Sequence, residues 1–378
     1  MKIQEIYLDN IGQLNRSCHF INEWRGTIHD RILFSGPNGS GKTLILKTIA
    51  MLWNALGHWL DHRAVTHAGG PINQCIKNEQ SAAMVLTDIP HCKGPVILFF
   101  GNPNRLESIS EKYADLPWIG ETTSDHQGGK RSLKMPKETW IDAWADARRK
   151  LILSFDESDT PNMVWFDAEE RRWVSPRRNL GKPLSENPAI RWLVTYQVTE
   201  DWQGQLEASL INLKSTKLHA FHQIIRDLND FLYDKEIDPN VKPGENRLEV
   251  ILKNRKKKRH SLDELSSGEH QILIQLFMIR RWLQPGGIVL IDEPDLFLHP
   301  SLVAGFLSKL ESLVMEKQGQ LITTSHNPDV WRRYETKGLR IKNLHLPPRT
   351  PVRVIIDDKD MISEPGGKGR WATLAERI

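Results

Sequence analysis

The chain has 378 residues, 39% of them hydrophobic and 26% charged, which suits one large globular α/β domain with insertions, or two domains. Its net charge of +4 is too small to argue for nucleic acid by itself, and no apolar run approaches the ~18–20 residues of a membrane span. The start, MKIQEIYLDN, lacks the apolar core of a signal peptide, so the expected location is cytoplasmic, without a membrane partner.

The same N-terminal residues alternate in strand-like fashion (Ile3, Ile6, Leu8). An apolar run, Ile32-Leu33-Phe34, then feeds a Gly-rich loop, and the loop feeds a helix-compatible stretch with Leu44, Ile45, Ile49 and Leu52 on or near one face. From about 59 to 190 Gly, Pro, Asp and Ser clusters interrupt the pattern. Short apolar runs there, PVILFF and KLILSF, read as buried strands. This stretch is rich in tryptophan (Trp118, Trp140, Trp144, Trp165 and Trp173, with Trp192 and Trp202 just beyond). The rings are expected to build a small core of their own, the other reading being a partner surface. Cys18, Cys75 and Cys92 are an odd set without a CxxC pair, which disfavours a disulfide framework. A zinc site from His67, Cys75, His91 and Cys92 would have no standard spacing.

Residues 206–233 carry helical periodicity, and RLEVILKNRKKKRHSLDEL reads as two short strands around a basic turn. A long helix capped at Ser266 or Ser267 follows, then the strand GIVLIDEP, a helix over roughly 301–317, and the strand GQLITTSHNP. There is no internal repeat and no sustained heptad.

Four segments carry chemistry. Gly36-Pro37-Asn38-Gly39-Ser40-Gly41-Lys42-Thr43 fits the whole GxxxxGK[ST] pattern in a strand–loop–helix context. Glycines there let backbone N–H groups converge on phosphate oxygens, and the helix adds its positive end. Lys42 would reach β- and γ-phosphates, and Thr43 would ligate Mg²⁺. The strand Ile288–Ile291 ends in two carboxylates: Asp292 for Mg²⁺ and Glu293 to polarise or orient the attacking water. Leu265-Ser266-Ser267-Gly268-Glu269 opens a helix, where hydroxyls and N–H groups make a second anion site. His326 ends the strand of ITTSHNP and would contact the γ-phosphate.

In this order the four motifs resemble an ABC-type ATPase of the chromosome-maintenance and repair (SMC) branch. DEPDLFLHPSL is especially similar to the OLD-like group (AAA15/AAA21), whose members occur in bacterial anti-phage systems of the Septu, Gabija and PARIS type. The likeness covers residues 1–58 and about 245–335. It implies an α/β ABC-ATPase head, with a P-loop core sheet flanked by helices, an antiparallel β subdomain and a mixed, Trp-rich insertion. The implied division is 1–58 with the phosphate loop, 59–190 as an insertion for partners, 191–345 as the rest of the head, and 346–378 as an extension.

The resemblance also implies site roles. Gly36, Asn38, Gly39, Ser40, Gly41, Lys42 and Thr43 bind ATP, and Thr43 and Asp292 hold Mg²⁺. Glu293 and His326 are catalytic, while Ser266, Ser267, Gly268 and Glu269 read the ATP of a second copy in a head-to-tail homodimer or larger homo-oligomer. Gln197, after RWLVTY, is the candidate for the Mg²⁺-sensing glutamine. His299 stands where many relatives carry an acidic residue. Only 50 residues follow LITTSHNP, which reads as too few for the C-terminal nuclease that many OLD-like proteins carry. The acidic stretch with Asp357, Asp358 and Asp360 reads as a solvated turn after a strand.

The expected function is therefore an ATP-hydrolysing switch that controls a separately encoded effector, a nuclease or toxin, in anti-phage defence. Two alternatives stay open: a DNA-repair or DNA-clamping ATPase of the SMC/RecF-like kind, and a non-hydrolysing scaffold that holds a toxin. The run Lys253, Arg255, Lys256, Lys257, Lys258, Arg259 would guide nucleic acid in the first of these, or be a solvated hairpin tip.

Overall fold

The computed structural model describes residues 1–342 apart from 23, 78, 124–129, 157, 174–187, 197–204, 242–246 and 254–257. Gln197, Trp202, Arg255, Lys256, Lys257 and the acidic stretch at 357–360 lie outside the described residues.

The first third contains β1 (Lys2–Ile11), β2 (Leu14–His19), β3 (Arg31–Ser35), the helix α1 (Lys42–His62) and the short α2 (Pro71–Cys75). The middle contains β4 (Ser81–Thr87), β5 (Val96–Gly101), α3 (Glu107–Lys112), β6 (Trp118–Thr122), β7 (Ser132–Lys134), α4 (Thr139–Leu153), β8 (Met163–Phe166) and β9 (Leu193–Thr195). Then come α5 (Gln205–Thr216), α6 (Leu218–Asn229), β10 (Lys235–Ile237), β11 (Glu249–Leu252), β12 (Arg259–Ser261) and α7 (Ser267–Trp282). The chain continues through β13 (Ile288–Ile291), α8 (Pro300–Glu316), β14 (Gln320–Ser325), α9 (Pro328–Lys337) and β15 (Leu339–Lys342).

Among the described residues the strands make three sheets. One has the order β15-β3-β14-β13-β8-β9, and its neighbours pair in parallel throughout. A second, mostly antiparallel, runs β2-β1-β4-β5-β6-β7, and a three-stranded antiparallel sheet runs β10-β11-β12. The apolar runs behave as a covered parallel sheet requires: every residue of β13 and β14 is buried. The basic turn does join two short strands, β11 and β12, with Glu249 opposite Ser261. The helical periodicity over 206–233 resolves into two helices, α5 and α6. Lys217, non-helical at φ −141°, ψ 67°, separates α5 from α6, and a one-residue break after weak helix formers leaves the periodicity on either side legible.

Helix α1 buries far more than one face. Ile45, Leu46, Ile49, Leu52, Trp53, Leu56 and Trp59 are all buried, because the helix lies in a core built from both the parallel and the antiparallel six-stranded sheets. A second core, on the other face of the parallel sheet, joins α5, α6, α7 and α8 to β11.

The tryptophans meet expectation only in part: Trp118 packs in a small separate core with Ala83, Val85, Ile97 and Phe99, but the other described ones do not. Rather than forming a core of their own, Trp140, Trp144 and Trp192 pack with Trp53 of α1 inside the main core. Trp53 and Trp192 stack at 4.0 Å, 12° from parallel, and each indole N–H donates to the other residue's carbonyl, at 2.8 and 3.0 Å. Large rings satisfy one another's single donor in this way without reaching water. The middle of the chain is woven into the head as well: β4 pairs with β1, and β8 pairs with β13. Trp192→Ala is expected to cost about 3–5 kcal/mol of stability, the usual range for emptying a buried Trp site, measured by denaturant unfolding. A loss well under that would mean the indole pair does not tie the middle segment to α1.

Among the described residues no group of three or more His, Cys, Asp or Glu side chains is arranged to hold a metal ion. None of the described helices is long and apolar enough to cross a membrane.

Candidate nucleotide site

Open parallel sheets place their ligand sites at the carboxyl ends of the strands, and the motif residues gather there. The loop 36–41 follows β3, Asp292 and Glu293 follow β13, and His326 follows β14. Because β14 lies between β3 and β13, its threonines can bridge the loop side and the carboxylate side.

The loop has the backbone its glycines allow. Gly39 and Gly41 have φ of +76° and +84°, which only glycine adopts without strain. Lys42 begins α1 and folds back over the loop, donating to the carbonyls of Gly36 (3.0 Å) and Pro37 (2.9 Å). Burial lowers its pKa, and the nearby carboxylates Glu293 and Asp292 oppose that shift. The ammonium thus waits on weak carbonyl partners that phosphate oxygens would outcompete.

Asp292 is 3% exposed, and its two oxygens are held apart. Thr43 Oγ1 donates to Oδ2 at 2.7 Å, and Thr324 Oγ1 donates to Oδ1 at 2.5 Å. A hydroxyl beside a carboxylate is the hard oxygen donor set that Mg²⁺ takes together with phosphate oxygens, so these residues fit the metal.

Glu293 has a left-handed backbone, φ +48°, which costs a non-glycine residue roughly 1–3 kcal/mol. Its N–H donates to Thr324 Oγ1 at 2.9 Å, and its Oε1 lies 2.8 Å from His326 Nε2. The strained turn aims the carboxylate across the end of β14, toward the residue that follows that strand. His326 is fixed by the entry to α9: Asn327 caps that helix, and the Trp331 indole donates to the Ser325 carbonyl at 2.9 Å.

The segment Leu265–Glu269 forms the start of α7. Ser266 is its N-cap in a capping box with Glu269. Lys235 of β10 donates to both Glu269 oxygens at 2.9 Å, and these bonds lower the Glu269 pKa against the opposing effect of burial. Ser267, by contrast, is exposed. Gly268 has a steric reason for its identity: a Cβ there would come 2.7 Å from the Phe297 carbonyl. His299 caps α8 through its ring, accepting from the Ser301 N–H.

One member of the site is not legible from the motifs. Arg171, 1% exposed, donates from Nη2 to the carbonyls of Asp292 (2.7 Å) and Glu293 (2.9 Å). Burial lowers its pKa to about 10, opposed first by Asp292, so it stays charged at neutral pH. It lies 121 residues before Asp292. The available hint was an Arg-Arg-Trp triplet (171–173) soon after an apolar run.

A phosphate loop, a carboxylate pair, a helix-start signature and a histidine on one parallel sheet define an ABC-type ATPase head. In sequence the chain is similar to ATPases of this type. Residues 205–330 match the family described as "AAA domain, putative AbiEii toxin, Type IV TA system". Over 216 residues, half of the chain and 36% of the relative, it is 27% identical to "Retron Ec83 probable ATPase" of Escherichia coli. It is 25% identical over 153 residues, 38% of the chain and 60% of the relative, to "Probable ABC transporter ATP-binding protein p29" of Mesomycoplasma hyorhinis. The chain therefore spans less than two thirds of either relative. Among solved structures, an SMC head bound to the C-terminal winged-helix domain of ScpA aligns at 14% identity and a TM-score of 0.47, over 87% of this chain and 91% of that one.

Proposed function

We propose that this protein is an ATP-driven switch: two copies close head to tail around two Mg-ATP, hydrolysis reopens them, and the closed state controls a separate effector, a nuclease or toxin, in anti-phage defence. The observation that carries the reading is the continuous set Thr43–Asp292–Thr324–Glu293–His326, joined by contacts of 2.5–2.9 Å. Lys42 and the loop amides bind the phosphates. Thr43 and Asp292 would hold Mg²⁺, which would supply positive charge beside the phosphates. Glu293 orients a water and accepts its proton, while His326 steadies the carboxylate and faces the γ-phosphate.

Closure follows from differential binding. In this reading a second copy's signature completes each site, and ATP favours the closed pair. The defence role leans on the kinship to the retron ATPase and to the toxin–antitoxin family description. The nucleic-acid reading has less support: Arg259 already pairs with Asp238 and Glu249, and Lys253 lies 4.0 Å from Glu236.

Mixing two inactive variants tests the sandwich. Lys42→Ala lacks a working phosphate loop, and Ser267→Arg blocks the signature without removing the Ser266 cap. Each alone should be inactive. Mixed one to one, they should recover roughly a quarter of wild-type turnover, since half the dimers are mixed and each holds one intact site of two. If mixing restores nothing while both variants remain folded, the head-to-tail pairing is wrong.

A further inference from the structure

After β8, residues 167–173 form a strap that touches both halves of the machinery. At one end Arg171 holds the Asp292 and Glu293 carbonyls. Its own carbonyl accepts a hydrogen bond from the Gln271 side-chain amide, and Gln271 sits in the first turns of α7, just past the signature. Two residues on, the Trp173 ring lies flat on His270, 4.4 Å away and 4° from parallel, and its indole donates to Asp263 at 2.9 Å. The His270 imidazole is itself fixed by a 2.8 Å bond to the Leu262 carbonyl.

Around this strap buried polar atoms go unmatched. Nε and Nη1 of Arg171 have no partner among the described residues, and neither have Oε1 of Gln271, Oε1 of Gln275 and Oδ1 of Asp295. Gln275 lies one helical turn beyond Gln271, and its amide reaches the Pro294 carbonyl at 3.5 Å, so these atoms belong to the layer between α7 and the Asp292–Asp295 turn. Unmatched buried groups are costly, and a layer holding both spare donors and spare acceptors can re-pair when its two walls shift.

We propose that Arg171 is a positioning residue that couples the carboxylate turn at a chain's own ATP to the signature helix that the same chain presents to the second copy. The inference rests on the nucleotide reading above. When the Asp292–Glu293 turn shifts in the loaded site, Arg171 follows its two carbonyls, and its spare Nε and Nη1 donors would engage Asp295, Gln271 or Gln275. The strap then carries the shift to α7 through the Gln271 amide, while the Trp173–His270 stack anchors the strap's far end. Each chain thereby reports the state of its own site to the other.

The test compares wild type with Arg171→Met, Arg171→Lys and Gln271→Leu, using Mg-ATP as the probe, steady-state kinetics, and amide hydrogen exchange of segments 36–43 and 266–272. Arg171→Met should keep wild-type ATP affinity while kcat falls about 10- to 100-fold, the usual effect of losing a supporting contact behind a metal-site ligand, and Lys should restore part of it. Exchange is read in the Ser267→Arg background, in which a second copy cannot close over the signature; with Arg171 and Gln271 otherwise as in wild type, Mg-ATP should slow exchange in both segments. In Arg171→Met and Gln271→Leu it should slow 36–43 only. If 266–272 still responds to Mg-ATP as in wild type, the coupling is wrong. Should Arg171→Met not fold, Gln271→Leu decides, because it cuts the strap without touching the guanidinium. If 36–43 in wild type does not respond to Mg-ATP, the nucleotide reading itself fails and the coupling falls with it.

Discussion

Glu293→Gln is expected to bind Mg-ATP normally, lose about two to four orders of magnitude in kcat, and accumulate as an ATP-bound dimer. The range is that of removing a general base. The substitution is nearly isosteric, and the backbone features that set the turn do not involve the carboxylate: the Glu293 N–H still meets Thr324, and its carbonyl still meets Arg171. The amide oxygen can accept from His326 Nε2 as the carboxylate does, but an amide cannot take a proton from water at neutral pH. Binding and chemistry therefore separate. Single-turnover hydrolysis and size-exclusion chromatography in Mg-ATP measure the two directly, and wild-type turnover in this variant would remove Glu293 from the mechanism.

Lys42→Ala is the second large effect, at the earlier step. The Lys42 ammonium rests on the Gly36 and Pro37 carbonyls, and two charge-assisted bonds to phosphates would replace those contacts. At ~1.5–3 kcal/mol per bond, their loss weakens ATP binding by about two to four orders of magnitude. Titration calorimetry should show binding reduced to that extent or undetectable. The buried Lys42 also sits near Asp292 and Glu293, so the variant leaves those carboxylates closer to unopposed. Near-wild-type affinity would mean that the loop holds phosphate through its amides alone.

Much of this arrangement could be read from local pattern. The phosphate loop, the β13 carboxylates and the α7 cap are contiguous segments whose chemistry depends on neighbours in sequence, and the parallel sheet follows from apolar runs that end in those segments. What could not be read depends on contacts distant in sequence. Nothing near Arg171 announces that its partners are carbonyls 121 and 122 residues away. Trp192 and Trp53, 139 residues apart, look like separate features until their indoles are seen to satisfy each other. The tryptophan density suggested a separate small core because composition registers ring content but not which element the rings meet. The break at Lys217 has no Gly or Pro to mark it.

The placement of α1 has a mechanical consequence. A helix clasped on both sides by sheet-bound side chains cannot slide or tilt without disturbing two cores at once, and packed interiors resist such shifts. It acts as the fixed spindle of the molecule. Any shift of the loops beyond the strand ends, and of the elements that lean on them, therefore plays out at the rim while the frame stays rigid.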